Sequence, residues 1–376
     1  MPRRILIVPD KFKGTLTATE ASSSIASGWS VTWPGDHIEQ LPMSDGGDGF
    51  GELFALSLGL KERIFPGMDA AGRERDVPVW LDAKSGQAVV ETAQSNGLAL
   101  LPNGQFHPFD LDTYGVGSLL MKLSQAGAKH CLAGIGGSAT NDAGFGMARA
   151  LGWTFFNDDN AEIESWTDLD RLVSINRPEI SAWPSISVAS DVTNPLLGPD
   201  GATRVYGPQK GMREEDFAKA DACFNRLAMI TAETIGTDFA ITPGAGAAGG
   251  LGFGLMAFAG ASLRPGFDVF AEATNLEAKV EAADLVITAE GAIDTQTTMG
   301  KGTGQVAQLC QRLAKPCVGL AGKLALGQAE GAAGENPFYR LAAVVPELAG
   351  EAESLSNAAG CLEHLAKRVA KDLPPS

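Results

Sequence analysis

Six strand-like stretches of this chain each run into a loop that combines glycine with a carboxylate, an amide or a lysine. The stretches are residues 5–8, 38–43, 131–133, 186–188, 285–288 and 317–320, and the loops are residues 10–14, 45–49, 134–142, 191–194, 290–294 and 322–323. In open parallel sheets, ligands bind beyond the carboxyl ends of the strands, where these loops would lie. Because glycine lets backbone N–H groups approach an anion, and carboxylates hold metals or accept protons, the pattern indicates an enzyme that handles phosphates.

The order of the predicted elements indicates an α/β fold with two domains. At 376 residues the chain exceeds a typical single domain. Strands alternate with helical patterns near both ends, and the first helix opens with capping-box spacing at residues 17–20, which predicts a parallel, doubly wound sheet. Residues 77–81 and 88–90 instead predict a β-hairpin. We therefore expect a Rossmann-like parallel domain built from both termini (1–65 plus 280–376), an inserted mixed-sheet α/β domain (66–279), and an active site in the cleft between them.

Composition and charge exclude several classes of protein. A net charge of −16 argues against a nucleic-acid partner, because binding a phosphate backbone needs a basic surface. The same charge repels an anionic substrate, so local lysines would have to attract it. Five cysteines without CxxC spacing predict buried free thiols in a reducing compartment. The apolar run that follows Arg4 is too short for a signal peptide, and no run approaches about 18 residues, which predicts a soluble, cytoplasmic protein without a membrane span.

The glycine loops also have purely structural interpretations. Residues 45–49 could form a turn that caps a helix, although two carboxylates around a double glycine exceed what a turn needs. Residues 134–142 place free N–H groups before a helix, which favours an anion site, but Thr140 and Asn141 could simply cap that helix. The GxGxxG at Gly244, Gly246 and Gly249 follows only a weak strand, so a close backbone approach explains it about as well as a phosphate cradle.

Other nucleotide and hydrolase signatures are missing from the sequence. The chain contains neither GxxxxGK[ST] nor GxSxG, and its four histidines are scattered. A Walker-type nucleotide loop, a Ser–His hydrolase and a zinc site are therefore unsupported. Lysines do occur among glycines in residues 206–211 and 300–302, where a cation can meet an anion.

Taken in order, these segments resemble the bacterial glycerate kinase family, of the glycerate 2-kinase type. Residues 9–14 (PDKFKG) are similar to its opening motif, and residues 45–49 (DGGDG) to its DGG(E/D)G. Further similar blocks are TYGVG at 113–117, GIGGSATND at 134–142, DVTNPLLG at 191–198, YGPQKG at 206–211 and PGAGAAGG at 243–250. The resemblance covers nearly the whole chain.

The resemblance implies ATP-dependent phosphorylation of D-glycerate, with the 2-phosphate favoured over the 3-phosphate as product. D-glycerate and ATP would be the small-molecule partners, and Mg²⁺ would bridge phosphate oxygens. The implied catalytic residues are Asp191, which orients or deprotonates the acceptor hydroxyl, Lys13 as a phosphate or carboxylate cation, and Asp45. Asp45 and Asp294 would be ligands of Mg²⁺ or of the substrate. The other implied substrate- or phosphate-binding residues are Asp10, Lys11, Gly46, Gly47, Gly136, Gly137, Ser138, Asn141, Asp142, Asn194, Glu290, Lys301 and Lys323.

One block departs from the family pattern. Family members often carry Gly-Glu-Gly-Arg before the aspartate, whereas residues 289–294 of this chain read AEGAID, with Ala292 in place of the arginine. If that arginine holds the substrate carboxylate or the transferring phosphate, another cation must replace it here. The candidates are Lys301, Lys323 and Arg264.

Two alternatives from other classes stay open at this point. A dinucleotide-dependent oxidoreductase of a small hydroxy acid would use the GxGxxG and bind NAD(H). A non-catalytic sugar-acid binding protein would keep the glycine loops but would not turn over ATP. The sequence also leaves open whether the protein forms a homodimer.

Overall fold

A computed structural model describes residues 2–44, 46–47, 49–179, 183–298, 302–325 and 336–373. The strands in these residues are β1 (Arg4–Pro9), β2 (His37–Gln40), β3 (Glu62–Met68), β4 (Glu74–Asp82), β5 (Gln87–Glu91), β6 (His130–Gly134), β7 (Thr154–Asn157), β8 (Leu172–Asn176), β9 (Ser185–Ala189), β10 (Ser262–Arg264), β11 (Leu285–Asp294), β12 (Cys317–Ala325) and β13 (Arg340–Val345).

Helices lie between most of these strands. The α-helices are α1 (Ala18–Thr32), α2 (Phe50–Leu58), α3 (Ala93–Asn96), α4 (Tyr114–Gln125), α5 (Phe145–Ala150), α6 (Ala202–Tyr206), α7 (Glu214–Ile235), α8 (Ala247–Ala259), α9 (Gly266–Thr274), α10 (Leu276–Ala282), α11 (Thr295–Thr298), α12 (Thr303–Arg312), α13 (Glu351–Ser356) and α14 (Ala358–Asp372). The chain divides into two compact units, Met1–Ser44 with Phe270–Ser376, and Asp45–Val269.

The first unit is a parallel sheet that combines strands from both ends of the chain. Its order is β13-β12-β11-β1-β2, and Ile5 of β1 lies in register with Leu285 of β11. Helix α1 begins with the predicted capping box, in which Thr17 accepts the Glu20 N–H and Glu20 accepts the Thr17 N–H. The apolar faces of α1 and α14 cover the sheet, with Trp29 fully buried. The predicted parallel α/β domain built from both termini is confirmed.

The second unit contains a mixed sheet in the order β10-β9-β6-β5-β4-β3. The first four of these strands are parallel, and β4 pairs antiparallel with both β5 and β3. The β4–β5 pair is the predicted hairpin. Strands β7 and β8 form a separate antiparallel pair. The predicted mixed sheet is therefore present, and β5, β6 and β9 end at the same edge of it.

The division between the units differs from the predicted boundaries near residues 65 and 280. Helix α2 belongs to the second unit, because a Cβ added to Gly51 would lie 1.9 Å from the Trp80 ring of β4. Glu91 of β5 also accepts N–H groups from Gly49 and Gly51 at the start of α2. The segment after 270 belongs to the first unit, where Lys279 of α10 pairs with Glu39.

Two further predictions concern the cysteines and the apolar segments. All five cysteines are free and buried, as the sequence predicts. Within the described residues, none of the helices is both long and apolar enough to span a membrane.

Candidate functional site

The predicted site residues gather at two places, one in each unit. In the first unit they line a cavity of about 610 Å³ at the carboxyl ends of β1, β11, β12 and β13, which we call the first-unit cavity. In the second unit they lie on loops at the carboxyl ends of β6 and β9, which we call the second-unit loop cluster. In both places the loops follow parallel strands, where ligands bind in folds of this class.

Five predicted residues line the first-unit cavity. They are Asp10, Lys11, Lys13, Glu290 and Lys323. The Asp10 side chain accepts the N–H of Lys11 at 2.7 Å, which orients one carboxylate oxygen. Because the strands are neighbours in the sheet, residues far apart in sequence meet around this cavity.

The carboxylate of Glu290 is held at the end of β11. Thr303 donates its hydroxyl to Glu290 Oε1 at 2.5 Å. Burial raises the pKa of Glu290, and the charge of Asp294 adds to the rise, while the Thr303 hydrogen bond opposes it. A Cβ placed on Gly302 would lie 3.7 Å from Glu290 Oε2 and 4.0 Å from Asp10 Oδ2, so these two carboxylates face a common space. A partly buried carboxylate pair of this kind favours a cation.

Ala292, where the sequence departs from the family pattern that it resembles, also lines the first-unit cavity. Its register partner on the neighbouring strand β12 is Lys323. Lys323 is exposed and forms an ion pair with Glu351 of α13 at 2.5 Å. Of the three candidate replacements, Lys323 therefore lies beside Ala292, whereas Arg264 belongs to the second unit and Lys301 lies outside the described residues.

The second-unit loop cluster begins with very close backbone contacts. The N–H of Gly136 donates to the carbonyl of Gly46 at 3.2 Å. A Cβ on Gly46 would lie 2.4 Å from the Ala189 carbonyl, and Gly46 has a φ of 105°. Only glycine fits this position, so the segment with Gly46 and Gly47 is held against the ends of β6 and β9.

A buried lysine joins the loops of this cluster. Lys210 Nζ donates to Ser138 Oγ at 2.9 Å and to the Thr140 carbonyl at 2.6 Å. Burial lowers the pKa of Lys210 to about 7, and the charge of Asp142 partly opposes the shift. Lysine is rarely buried without a specific partner, so these hydrogen bonds hold the loop of residues 134–142 in one conformation.

Asp142 supports the loop instead of facing a ligand. Its Oδ2 accepts the Thr113 hydroxyl at 2.7 Å, the Thr113 N–H at 2.9 Å and the Gly146 N–H at 2.9 Å. Burial raises the pKa of Asp142 although these donors oppose the rise. Burial, followed by the charge of Asp142, raises the pKa of the adjacent Asp112 to about 6. Protein donors therefore surround Asp142, which was predicted to bind substrate or phosphate.

Two buried amides in the cluster carry unsatisfied oxygens. Asn96 donates its Nδ2 to Thr140 Oγ1 at 3.2 Å, and its backbone carbonyl accepts the Ala139 N–H at 2.7 Å. Asn96 Oδ1 and Asn141 Oδ1 are both buried and find no hydrogen-bond donor among the described residues. A buried acceptor without a donor is costly, so these oxygens suit a hydroxyl group of a bound molecule or a water.

The loop after β9 presents a carboxylate at the same sheet edge. Asp191 is exposed, and its Oδ1 accepts the Gly266 N–H at 2.7 Å, which fixes its orientation. Asn194, in contrast, is occupied within the loop: its Nδ2 donates to the Asp200 carbonyl, and its Oδ1 accepts the Tyr206 hydroxyl. Asp191 is therefore accessible to a substrate, whereas Asn194 shapes the loop.

The GxGxxG segment serves close packing in this fold. No strand directly precedes it among the described residues. A Cβ on Gly246 would lie 2.2 Å from the Pro195 carbonyl, and one on Gly249 would lie 2.0 Å from the Thr140 carbonyl and 2.7 Å from Lys210 Nζ. The segment therefore lacks the strand–loop–helix setting of a dinucleotide site, and its glycines let the loops approach one another.

Two predicted site residues lie outside the described residues, and three residues that form the second-unit loop cluster were not among the predicted ones. Asp45 and Lys301 lie outside the described residues. Lys210, Thr113 and Asn96 were absent from the predicted site. The block YGPQKG indicated Lys210, but nothing local to Asn96 predicts its burial.

Within the part of the chain that the structure describes, no three His, Cys, Asp or Glu side chains form a group that could hold a metal ion.

Comparison with known proteins identifies the family. A profile of the glycerate kinase family matches residues 5–374. The chain belongs to this family. It is 36% identical to the glycerate kinase of Halalkalibacterium halodurans over 370 residues, covering 97% of each chain. It is also 36% identical over 327 residues to the glycerate 2-kinase of Escherichia coli K12, covering 85% of each.

A solved structure agrees with this assignment. A crystal structure from Salmonella typhimurium LT2, described as glycerate kinase 2, superposes with a TM-score of 0.84 at 34% identity, covering 99% of this chain and 98% of that one. As a member of a kinase family, this chain is a phosphotransferase that uses a nucleotide. The oxidoreductase and the non-catalytic binding protein receive no support from the comparisons.

We expect Gly249→Ala to destabilise the second-unit loop cluster strongly. The new Cβ would meet Thr140 and Lys210, and the φ of 71° is itself unfavourable for alanine. The matched control is Gly260→Ala, which has a similar φ of 66° but open space around its Cβ. Left-handed strain alone costs about 1–2 kcal/mol, and overpacking adds about 1–3 kcal/mol. Equal losses of unfolding free energy for the two variants, measured in urea, would contradict the contact.

Lys210 predicts a pH dependence of stability. Its pKa is about 7 in the folded protein and near 10.5 when unfolded, so the penalty for burying its charge is fully present below pH 7 and decreases as the pH rises toward 10.5. From pH 7.5 to 8.5, the unfolding free energy of the wild type should gain up to about 1.4 kcal/mol relative to Lys210→Met. Lys219→Met, at a partly exposed lysine paired with Asp170, should follow the wild type. Parallel pH profiles for the wild type and Lys210→Met would rule out the shift.

Proposed function

We propose that this protein phosphorylates D-glycerate with ATP and releases 2-phosphoglycerate and ADP. The observation that carries the proposal is the match of the glycerate kinase family to residues 5–374. The 2-phosphate is favoured because the Escherichia coli relative, 36% identical, is a glycerate 2-kinase. Two groups of glycine loops at the carboxyl edges of parallel strands support a phosphate-handling reaction independently of these names.

The first-unit cavity suits a metal-bound phosphate donor. Mg²⁺ in proteins is usually held by one or two carboxylates together with substrate phosphates, and Asp10 and Glu290 face a common space. Asp294 adds negative charge next to Glu290. When bound there, Mg²⁺ would neutralise charge on the phosphate oxygens during transfer. Asp10 and Glu290 are therefore the two residues proposed to hold it, and Asp294 stays a predicted ligand that contributes charge nearby.

Lysines of the same cavity would bind the phosphates themselves. Lys11, Lys13 and Lys323 line it, and the whole protein is negative, so these local cations are needed to attract an anion. An exposed ion pair contributes only about 0–1 kcal/mol, so Lys323 can exchange Glu351 for a phosphate at small cost. We propose that Lys323 replaces the arginine that related sequences carry at position 292.

The second-unit loop cluster suits a small hydroxy acid. The carboxylate of such an acid can accept the N–H of Gly137, beside Ser138, whereas the Gly136 N–H already donates to the Gly46 carbonyl. Its hydroxyl groups can donate to the unsatisfied oxygens of Asn96 and Asn141. The cluster therefore offers donors for the acid group and acceptors for the alcohols, which is what glycerate requires.

Asp191 is the proposed catalytic carboxylate. It is exposed at the end of β9, and the Gly266 N–H orients it. As the C2 hydroxyl oxygen of glycerate bonds to the γ-phosphorus, the bond from that phosphorus to the bridging oxygen breaks, ADP leaves, and the hydroxyl proton passes to the Asp191 carboxylate. Lys13 and Lys323 would neutralise the charge on the transferring phosphoryl group.

We expect ADP release to require both D-glycerate and Mg²⁺. A coupled ADP assay tests the requirement, and phosphorus NMR of the product should show 2-phosphoglycerate. L-glycerate is the matched control substrate and should be a poor acceptor. ATP consumption at the same rate with and without D-glycerate would reject the proposed function, and 3-phosphoglycerate as product would reject the proposed position of transfer.

We expect Asp191→Asn to lower kcat more than about tenfold, because a positioned general base contributes about 10²–10⁴-fold. The amide oxygen can still accept the Gly266 N–H, so the fold should be retained. Asp200→Asn is the control, since Asp200 is exposed on the same loop. An unchanged kcat with an unchanged melting curve would exclude Asp191 as the base.

A further inference from the structure

Lys210 is a buried cation whose hydrogen bonds go to uncharged oxygens. The residue is only 6% exposed, and its Nζ donates to Ser138 Oγ and to the Thr140 carbonyl. The carboxylate of Asp142 accepts hydrogen bonds from neutral donors instead and acts on Lys210 as a charge at longer range. Buried charges in proteins are normally paired with an opposite charge. The ammonium group of Lys210 therefore lacks the anion that such a site usually contains.

Ser138 connects this charge to the surface of the loop. Its Oγ accepts the Lys210 hydrogen bond at 2.9 Å, which leaves the hydrogen of the hydroxyl group for another acceptor. Ser138 is 7% exposed, and the preceding Gly137 is exposed. A hydroxyl group that accepts a bond from an ammonium group becomes a stronger donor, because hydrogen bonds in a chain polarise one another. An anion beside Gly137 and Ser138 would thus meet a strengthened donor with a positive charge behind it.

The acceptors of the same cluster restrict the kind of anion. Asn96 Oδ1 and Asn141 Oδ1 are buried and find no donor among the described residues, and Asn96 Nδ2 is bonded to Thr140 of the same loop. A ligand that satisfies these oxygens must carry hydroxyl groups next to its anionic group. Because the protein has a net charge of −16, a local cation is also needed to attract that group. Small hydroxy acids combine both features.

We propose that Lys210, acting through the Ser138 hydroxyl group, makes the second-unit loop cluster select a carboxylate over a neutral group on a small hydroxy compound. This inference rests on the proposed function, which assigns glycerate to this cluster. The Ser138 O–H and the Gly137 N–H donate to the carboxylate of the ligand, and its negative charge supplies the anion that Lys210 lacks. Lys210 itself stays buried and does not contact the ligand. It is a positioning residue that also determines the charge preference of the site.

The test compares D-glycerate with D-glyceramide, in which a neutral amide replaces the carboxylate. The full chain is titrated with each ligand in the absence of nucleotide at pH 6.5, below the Lys210 pKa of about 7, so that the ammonium form predominates. Lys210→Met keeps most of the side-chain volume without the charge. It should weaken D-glycerate binding about 10- to 100-fold, as expected for the loss of a charge-assisted hydrogen bond. D-glyceramide should bind this variant within about threefold of the wild type.

Two further variants separate the charge from the support of the loop. Ser138→Ala removes the hydroxyl group but leaves the Lys210 bond to the Thr140 carbonyl, so the loop keeps one of its two bonds to the lysine. It should weaken D-glycerate binding at least about fivefold more than D-glyceramide binding. The matched control is Lys219→Met, which removes a partly exposed lysine paired with Asp170 and should bind both ligands like the wild type.

The outcomes distinguish this inference from the proposed function. Equal losses of D-glycerate and D-glyceramide binding in Lys210→Met would show that the lysine only holds the loop, and wild-type D-glycerate affinity would exclude any role in binding. Either result overturns the inference. If Lys210→Met does not fold, the same comparison in Ser138→Ala decides. Acid-selective binding that depends on Lys210, without ADP release that requires D-glycerate, would instead reject the proposed function and keep the charge selection.

Discussion

Close backbone packing is the constraint on which both groups of site residues depend. In the first unit, a Cβ on Gly322 of β12 would lie 2.6 Å from the Gly291 carbonyl of β11, and in the second unit a Cβ on Gly249, at the start of α8, would lie 2.0 Å from the Thr140 carbonyl. Any side chain at these positions would push the neighbouring backbone segments apart. The glycines therefore act first on packing, and the convergence of charged and polar side chains at each sheet edge follows from it.

Electrostatics explains why the site residues are arranged as they are. The protein carries a net charge of −16, so an anionic substrate gains little from its average field. Lys13 and Lys323 of the first-unit cavity are exposed, so a phosphate in the cavity could reach them. Lys210 is different, because burial lowers its pKa to about 7. Its ammonium group donates hydrogen bonds to Ser138 Oγ and to the Thr140 carbonyl. These hydrogen bonds hold the loop of residues 134–142 in position.

The sequence predicts the strands and their glycine loops well, but it does not predict which sheet a helix packs against or which polar residues become buried. Strands β1, β6, β9, β11 and β12 lie where short apolar runs precede glycine loops, because that pattern depends only on neighbouring residues. The sequence places the segment 45–65 in the parallel domain, whereas the structure places it in the second unit, because the apolar face of α2 has the same pattern whichever sheet it covers. The contribution of Asn96 has no local signal either, because its burial exists only after β5 and β6 have paired. The roles of the individual site residues stay predictions.

The compensation that we propose for position 292 depends on the geometry of the sheet. A cation removed from β11 can be supplied from β12, because register partners on neighbouring parallel strands are separated by about 4.8 Å. Lys323 has this relation to Ala292, although 31 positions separate them along the chain. Lysine presents a point charge where arginine presents a planar, two-pronged donor, so it neutralises a phosphate without fixing its orientation. Under this proposal, the backbone N–H donors beside the glycines would orient the phosphate, and Asp10 and Glu290 would act on it only through a bound cation.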